Sequence, residues 1–194
     1  ERLCALVAPE VVEAALALLL LSPFVPMLFM GEEWASRTPF LFFADFPDED
    51  LRDAVREGRR KEFEAFAGFG GAEIPDPNAY DTFTASIPVR DREMGEARRL
   101  LVRELIALRQ KHIAPYIDEA RGLAAEALGE KAFVASWALG GSTLTLFVNV
   151  GDADATIARP PSPSAAWLHG GAADVASVSR GLLPARRTLA CLES

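Results

Sequence analysis

The sequence predicts an α/β region followed by an all-β region within 194 residues. A helix-like segment leads directly into a short, continuously apolar run at residues 25–30, which is typical of one unit of an α/β architecture. From about residue 116 the pattern changes, because apolar residues alternate with other residues at the period of a β-strand. These observations divide the chain into an α/β domain at residues 1–115 and a small antiparallel β-sandwich domain at residues 116–194.

The α/β region is predicted to begin with a helix and a buried strand. Pro9 and Glu10 suit the first turn of a helix, because proline needs no hydrogen-bond partner there and a negative charge meets the helix dipole. The helix is expected to end at Ser22, which precedes a proline. The run at 25–30 is apolar throughout, which is typical of a strand buried on both faces of a parallel sheet. Since ligands bind beyond the carboxyl ends of such strands, the turn at 31–34 is predicted to lie at the functional edge.

Two further helices and an intervening loop are expected in the α/β region. Charged, amphipathic segments predict helices at residues 50–66 and 93–111, and the prolines between residues 72 and 90 predict an ordered loop. Arg98 is expected to lie off the apolar face of the second helix. The inward residues are expected to be Leu51, Val55, Phe63 and Phe66 in the first helix, and Ala97, Leu101, Leu105 and Leu108 in the second.

The β region is predicted from two alternating segments and the turn between them. Apolar residues alternate over 133–137 and 144–148, and Gly140-Gly141 between the segments is a hairpin signal. Trp137 is expected to lie in the core of this region. Another strand is expected near residues 188–192.

The composition restricts the possible partners and the compartment. The chain has 20 Lys and Arg residues against 28 Asp and Glu residues, a formal net charge of −8 and a pI near 4.9. This acidic balance repels phosphate backbones, so nucleic acid is not expected as a partner. Cys4 and Cys191 lie almost a chain length apart and match no metal-binding or redox spacing, so no metal site is predicted. A reducing, cytoplasmic compartment is expected.

No membrane association is predicted. The apolar stretch at residues 14–30 is interrupted by Ser22, Pro23 and Pro26, whereas a membrane-spanning helix needs about 20 predominantly apolar residues. The start at Glu1 shows neither the basic segment nor the cleavage site of a secretory signal. We expect the chain to be a piece of a longer protein.

Four segments resemble known enzymes. Residues 26–34 (PMLFMGEEW) resemble the last barrel strand and the following turn of α-amylase-clan glycoside hydrolases, a pattern that branching and debranching enzymes share. Residues 38–45 (TPFLFFAD), 55–63 (VREGRRKEF) and 74–77 (IPDP) with Thr82-Phe83 resemble, in this order, the malto-oligosyltrehalose trehalohydrolases. The resemblance covers roughly residues 1–150. It implies the C-terminal end of a (β/α)8 TIM barrel, followed by the small antiparallel β-sandwich.

The resemblance also implies an activity. Members of this family are retaining glycosidases that release trehalose by cleaving the α-1,4 bond next to the trehalosyl end of malto-oligosyltrehalose. A retaining mechanism requires two carboxyl groups about 5–5.5 Å apart. The family's catalytic carboxylates would all precede Glu1, so no catalytic residue is assigned and this segment alone is expected to be inactive. Its expected partners are malto-oligosyltrehalose or a related α-glucan and the remainder of its own catalytic barrel, without a cofactor.

Five residues are candidates for substrate binding: Glu32, Glu33, Trp34, Arg59 and Arg60. One glutamate could instead hold the turn through hydrogen bonds to backbone N–H groups, and Trp34 could stack on a sugar or cap the barrel. Adjacent helical residues diverge by about 100°, so at most one of the two arginines should face a cleft, and the alternative for both is a solvated surface. The alternative functions are another α-amylase-clan enzyme, such as a branching or debranching enzyme, or a non-catalytic module that binds glucan or a protein partner.

Overall fold

The first half of the chain is helical and the second half is mostly β-structure in the computed structural model, which describes residues 2–64, 74–90 and 92–194. Two 3₁₀ turns accompany these elements, at Glu32–Trp34 and Ala114–Glu119. The α-helices are α1 (Leu3–Leu6), α2 (Pro9–Leu21), α3 (Glu49–Glu64), α4 (Tyr80–Ala85), α5 (Arg92–His112) and α6 (Ala172–Ser179). The strands are β1 (Arg121–Ala127), β2 (Ala132–Leu139), β3 (Ser142–Asn149), β4 (Ala155–Thr156), β5 (Ala166–His169), β6 (Leu182–Leu183) and β7 (Arg187–Glu193).

Helix α2 confirms the helix predicted at the start of the chain. It begins at Pro9 with Glu10 in its first turn and ends at Leu21, next to Ser22 and Pro23. Its apolar residues pack against α5 and against the sheet, in one continuous core. The buried members of this core are Val12, Leu16, Ala17, Leu20, Leu21, Val102, Leu105, Ile113, Leu139, Leu144, Leu146, Val148 and Ala190.

Arg109 of α5 closes the end of α2. Its Nη1 donates hydrogen bonds to the carbonyl oxygens of Leu20 (3.0 Å) and Ser22 (2.7 Å), and its Nη2 donates to the carbonyl of Phe24. The last carbonyls of a helix have no partner within the helix, and this guanidinium supplies one. Arg109 is only 8% exposed, and this burial lowers the pKa of its guanidinium below the usual value.

The buried face of α5 differs from the predicted stripe. Leu105 is fully buried as expected, but Ala97 is exposed, and Arg98, predicted to lie off the apolar face, is only 5% exposed. The buried positions follow the 3–4 spacing of one helical face: Gly95, Arg98, Val102, Leu105 and Arg109. The spacing of apolar residues does not predict this face, because two of its members are arginines. Their N–H groups donate hydrogen bonds to backbone carbonyls of α2 rather than to solvent.

The β region forms a five-stranded antiparallel sheet in the order β1-β2-β3-β7-β5. The predicted hairpin is confirmed as β2 and β3, joined by Gly140 and Gly141 with φ angles of 57° and 83°. A Cβ atom at Gly140 would lie 2.5 Å from the ring of Tyr116, so this position requires glycine for space as well as for its backbone conformation. The strand predicted near residues 188–192 is confirmed as β7, which pairs with β3.

Both faces of this sheet are covered. Helix α2 packs on one face, where Thr188 of β7 donates a side-chain hydrogen bond of 2.8 Å to the carbonyl of Ala14. A two-stranded sheet of β4 and β6, together with α6, covers the other face. The buried residues on that second face are Phe147, Ile157, Val178, Leu183, Leu189 and Cys191. Burial there raises the pKa of the Cys191 thiol to about 12.

The predicted buried strand at residues 25–30 is wrong. These residues form no strand in the structure, and the side chains of Val25 and Met27 are 89% and 85% exposed. A parallel strand exists only where neighbouring strands accept and donate its backbone hydrogen bonds. No parallel neighbour is present within the described ranges, since each described strand pair is antiparallel.

Three smaller predictions are corrected. The segment predicted as a loop at 72–90 contains α4 within its described part, held by the Thr82 hydroxyl, which donates to the carbonyl of Asp76 at 2.6 Å. Leu51 of α3 is exposed rather than inward, while Phe66 lies outside the described residues. Trp137 packs against the main core as expected but is half-buried rather than enclosed, with its ring edge-on to Phe24 at 6.2 Å.

A search of the described helices finds none that is both long and apolar enough to cross a membrane.

We expect Arg109→Met to lower the free energy of unfolding by about 3 kcal/mol, because it leaves three carbonyl acceptors at the end of α2 without their charged donor. Arg103→Met, at an exposed position of the same helix, is the matched control and should change stability by less than about 0.5 kcal/mol. Urea unfolding monitored by circular dichroism measures both values. Equal losses for the two variants would show that Arg109 does not hold the two helices together.

Candidate functional site

The polar turn that follows residues 25–30 is a single tight 3₁₀ turn. Its residues Glu32–Trp34 are flanked by Gly31 and Ala35, whose φ angles of 93° and 56° lie in the left-handed region. A Cβ atom at Gly31 would lie 2.9 Å from the Cβ of Ser36, so only glycine fits there. The backbone N–H of Ser36 donates to the carbonyl of Gly31 at 2.8 Å and closes the turn. This geometry fixes the directions in which the three candidate side chains leave the backbone.

Both candidate glutamates are directed back at the turn itself. Glu32 Oε2 accepts a hydrogen bond of 3.0 Å from the backbone N–H of Phe29. Glu33 Oε2 accepts one of 3.0 Å from the backbone N–H of Gly31. The hydrogen bonding that the sequence analysis considered for one glutamate is therefore made by both. Their carboxylates do not face each other across a cleft in the way that an acid and base pair requires.

Trp34 is held between two other elements. The guanidinium of Arg90 lies 5.2 Å from the centre of its ring, which is the distance of a cation–π contact. The backbone of α5 approaches Trp34 closely, because a Cβ atom at Gly95 would lie 3.3 Å from the Trp34 carbonyl oxygen. The indole Nε1 is buried and has no acceptor within the described residues. Trp34 as a whole is half-buried.

The two candidate arginines of α3 point in different directions, as their adjacent positions predict. The guanidinium of Arg59 lies between two aromatic rings, 4.8 Å from the centres of both Phe42 and Phe63, and forms an ion pair with Glu62. Arg60 makes a two-fold contact with the Glu57 carboxylate at 2.9 and 3.1 Å. The side chain of Arg59 is 26% exposed and that of Arg60 is 59% exposed.

A row of aromatic rings connects the turn with the segment before α3. Phe29 contacts Phe40 edge-on at 5.0 Å, Phe40 contacts Phe43 at 5.6 Å, and Phe43 contacts Phe83 of α4 at 5.1 Å. Phe42, adjacent in sequence to Phe43, contacts Arg59. The aromatic row therefore extends from Phe29 beside the turn to Phe83 of α4.

Arg2 is a residue of this site that the sequence analysis missed. Its Nη1 donates to the carbonyl of Met30 (2.8 Å), its Nε donates to the carbonyl of Thr38 (2.9 Å), and its guanidinium lies 5.0 Å from the ring of Phe29. Arg2 therefore joins the two ends of the turn while being only 7% exposed. It belongs to no apolar period and no motif, so the sequence alone contained no signal for it.

An open groove runs along one side of the turn. It has a volume of about 520 Å³ and lies between residues 28–33 and α5. Leu28, Phe29, Met30 and Glu33 form one wall, and residues of α5 from Arg99 to Gln110 form the other. As for metals, the described parts of the chain hold no group of three or more His, Cys, Asp or Glu side chains arranged around a common point.

Comparison with solved structures defines the class of protein. A putative α-amylase from Salmonella typhimurium superposes with a TM-score of 0.80 and is 35% identical, over all of this chain and 32% of that chain. A family GH13_31 enzyme shares the fold at a TM-score of 0.53 and 15% identity, over all of this chain and 39% of that chain. The chain thus has the fold of one part of the α-amylase-type enzymes. No protein-family model matches the chain.

Curated relatives narrow the class to one family. Three proteins named malto-oligosyltrehalose trehalohydrolase match this chain: those of Deinococcus radiodurans (50% identity over 95 residues), Arthrobacter ramosus (41% over 138 residues) and Saccharolobus solfataricus (53% over 86 residues). The matches cover 47%, 66% and 44% of this chain. The chain is related to the malto-oligosyltrehalose trehalohydrolases, and the resemblance predicted from its motifs is confirmed. The same matches span 16%, 24% and 14% of those relatives, so the matched region corresponds to less than a quarter of their length.

We expect Glu33→Ala to increase the hydrogen-exchange rate of the Gly31 amide about tenfold, because that N–H loses its carboxylate acceptor. Glu33→Gln retains an oxygen acceptor and should lose less protection. Glu32→Ala is the reciprocal control, since it should expose the Phe29 amide and leave Gly31 protected. Exchange measured by NMR reports each amide separately. Unchanged protection of Gly31 in Glu33→Ala would contradict the turn geometry described above.

Proposed function

We propose that the chain is part of a retaining glycoside hydrolase that releases trehalose from malto-oligosyltrehalose by cleaving the α-1,4 bond next to the trehalosyl end. The observation that carries this proposal is the identity of 41–53% with proteins that are named malto-oligosyltrehalose trehalohydrolase. The agreement of the whole chain with a solved α-amylase-type structure, at a TM-score of 0.80, supports the same conclusion.

In this proposal the catalytic carboxylates lie outside these 194 residues. The carboxyl groups of Glu32 and Glu33 are already engaged with backbone N–H groups, and a retaining pair must instead approach one glycosidic bond from two sides. Residues 1–115 are then the last part of a (β/α)8 barrel, and residues 116–194 are its C-terminal β-sandwich domain. The chain supplies support and substrate contacts, whereas bond cleavage depends on the remainder of the barrel.

The exposed apolar residues before the turn are the proposed contact with that remainder. Phe24, Val25, Met27, Phe29 and Met30 are 44–89% exposed, and the groove of about 520 Å³ lies beside them. A contiguous apolar surface of this kind marks an interaction site rather than a solvated surface. Other parts of the same barrel would cover these residues.

The substrate contacts are proposed to come from the turn and from α3. Trp34 is half-buried beside Arg90, and the hydrogen bonds of Glu32 and Glu33 hold the turn that carries it. Arg59 is the better candidate on α3, because the rings of Phe42 and Phe63 hold its guanidinium in one orientation. A malto-oligosaccharide is neutral and rich in hydroxyl groups, so an arginine would act through its planar set of donors.

The physiological setting is proposed to be trehalose biosynthesis in the cytoplasm. Cys4 and Cys191 are both free thiols in the structure, which fits a reducing compartment. The net charge of −8 fits a partner that is a neutral sugar rather than a nucleic acid.

A second candidate function is α-glucan hydrolysis of the α-amylase type. It is favoured by one observation, the 35% identity over the whole chain with a structure described as a putative α-amylase. The products separate the candidates: free trehalose from malto-oligosyltrehalose, maltose and longer oligosaccharides from starch, or new α-1,6 branches if the protein is a branching enzyme.

We expect the longer protein that contains this chain to release trehalose from maltotriosyltrehalose, and residues 1–194 alone to release none. The reason is that the relatives are at least four times as long as the matched region, and Glu32 and Glu33 are not arranged as a catalytic pair. Chromatography of the products measures both. Trehalose release by the isolated segment would contradict the proposal, as would starch hydrolysis without trehalose release by the longer protein.

We expect Arg59→Ala in the longer protein to lower kcat/KM about ten- to a hundredfold, equivalent to one or two hydrogen bonds to substrate. Arg60→Ala is the matched control, since the Arg60 side chain is 59% exposed and, unlike Arg59, is not held between Phe42 and Phe63. Steady-state kinetics with thermal melting separate a loss of substrate contact from a loss of stability. Full kcat/KM in both variants at unchanged Tm would remove Arg59 from the site.

A further inference from the structure

A cavity lies where α1, α2 and α5 meet the turn at residues 31–36. Its volume is about 110 Å³, whereas a single water molecule requires about 10–15 Å³ on the same scale, so a group of several heavy atoms fits inside. Most of its wall is apolar, formed by Leu3, Val12, Ala15, Leu16, Leu19 and Ala35. The charged side chains in the wall are those of Arg2, Arg98 and Glu32.

The two arginines carry N–H groups that lack an acceptor. Arg2 is 7% exposed and Arg98 is 5% exposed, so both guanidinium groups are shielded from bulk solvent. Arg2 Nη2, Arg98 Nε and Arg98 Nη1 are buried and donate to no acceptor among the described residues. A buried donor without an acceptor is costly, and more so when it is charged, so three such donors around one cavity indicate a missing anionic acceptor.

The carboxylates already present do not meet this need. Glu13 Oε1 lies 3.7 Å from Arg98 Nη2, which is beyond hydrogen-bond distance, and its side chain is 49% exposed. Glu32 directs its Oε2 to the backbone N–H of Phe29. The nearest acceptor of Arg98 Nη2 in the described structure is the carbonyl of Pro9, at 3.5 Å. The wall of the cavity itself carries Arg2, Arg98 and Glu32, and the Glu13 carboxylate that forms a long ion pair with Arg98 is not part of that wall.

We propose that this cavity binds a carboxylate group between Arg2 and Arg98. A carboxylate is planar, carries one negative charge and offers two oxygens that match the fork of a guanidinium. The apolar wall fits the short hydrocarbon part of such a group and disfavours a doubly charged phosphate. The carboxylate comes either from a small free acid or from an Asp or Glu side chain of a protein segment outside these 194 residues. This inference does not depend on the reaction that the longer protein catalyses.

Thermal unfolding with formate or acetate, titrated against chloride at constant ionic strength, tests the free-acid source. We expect a saturable rise in Tm of about 3–5 °C for the 194-residue chain. Arg98→Gln should abolish the rise, and Arg99→Gln is the matched control, because Arg99 is exposed and pairs with Glu96. If Arg98→Gln does not fold, NMR line broadening of ¹³C-formate on the unsubstituted chain, reversed by unlabelled acetate, reports the binding directly.

The same titration on the longer protein distinguishes the two sources. No rise in Tm there, together with a crystal structure that places an Asp or Glu carboxylate within 3.2 Å of Arg2 and Arg98, identifies the occupant as a side chain. A rise in both proteins identifies a free acid. The proposal is overturned if neither protein shows a carboxylate-specific rise and no carboxylate reaches the two arginines in the longer protein.

Discussion

The hydrogen bonds from the Arg109 guanidinium to the carbonyls at the end of α2 determine the placement of both the turn at 31–36 and helix α5. They fix where α2 stops, and therefore where the chain leaves toward the turn at 31–36. They also hold α5 against α2, so that Val102 and Leu105 complete the core above the sheet. A charge-assisted donor is suited to this place, because several carbonyls without helical partners converge there and a neutral side chain could satisfy fewer of them.

Sequence patterns predicted those elements that depend mainly on residues close together in the sequence. Proline positions and apolar spacing were sufficient for α2, and two glycines between alternating segments were sufficient for the β2–β3 hairpin. The prediction of a strand at 25–30 was wrong because a continuous apolar run indicates that a segment is buried but does not identify the elements that cover it. Its partners would have to come from other strands, and an apolar segment without them has no ladder to join.

The sequence nominated the candidate residues, which stay a prediction, but gave no side-chain directions for them. Motif resemblance located residues 32–34 and the α3 arginines, yet only the left-handed backbone at Gly31 and Ala35 explains why both glutamates turn back to their own N–H groups. Arg2 and Arg98 could not be found from the sequence, because a pattern of polar and apolar residues assigns arginine to solvent. In this chain buried arginines connect segments that are far apart in sequence, and such contacts produce no periodic pattern of apolar residues.

The hydrogen bond from Thr188 to Ala14 has a consequence for how the chain loses its structure. It joins residues 174 positions apart, across a core that α2, α5 and the central strands share. Unfolding of α2 would expose the face of β3 and β7 against which it packs. The sheet therefore cannot keep that face buried once α2 has unfolded. The division between helical and β architecture is thus not a division between cooperative units, and native-state exchange in the two halves should follow one common opening.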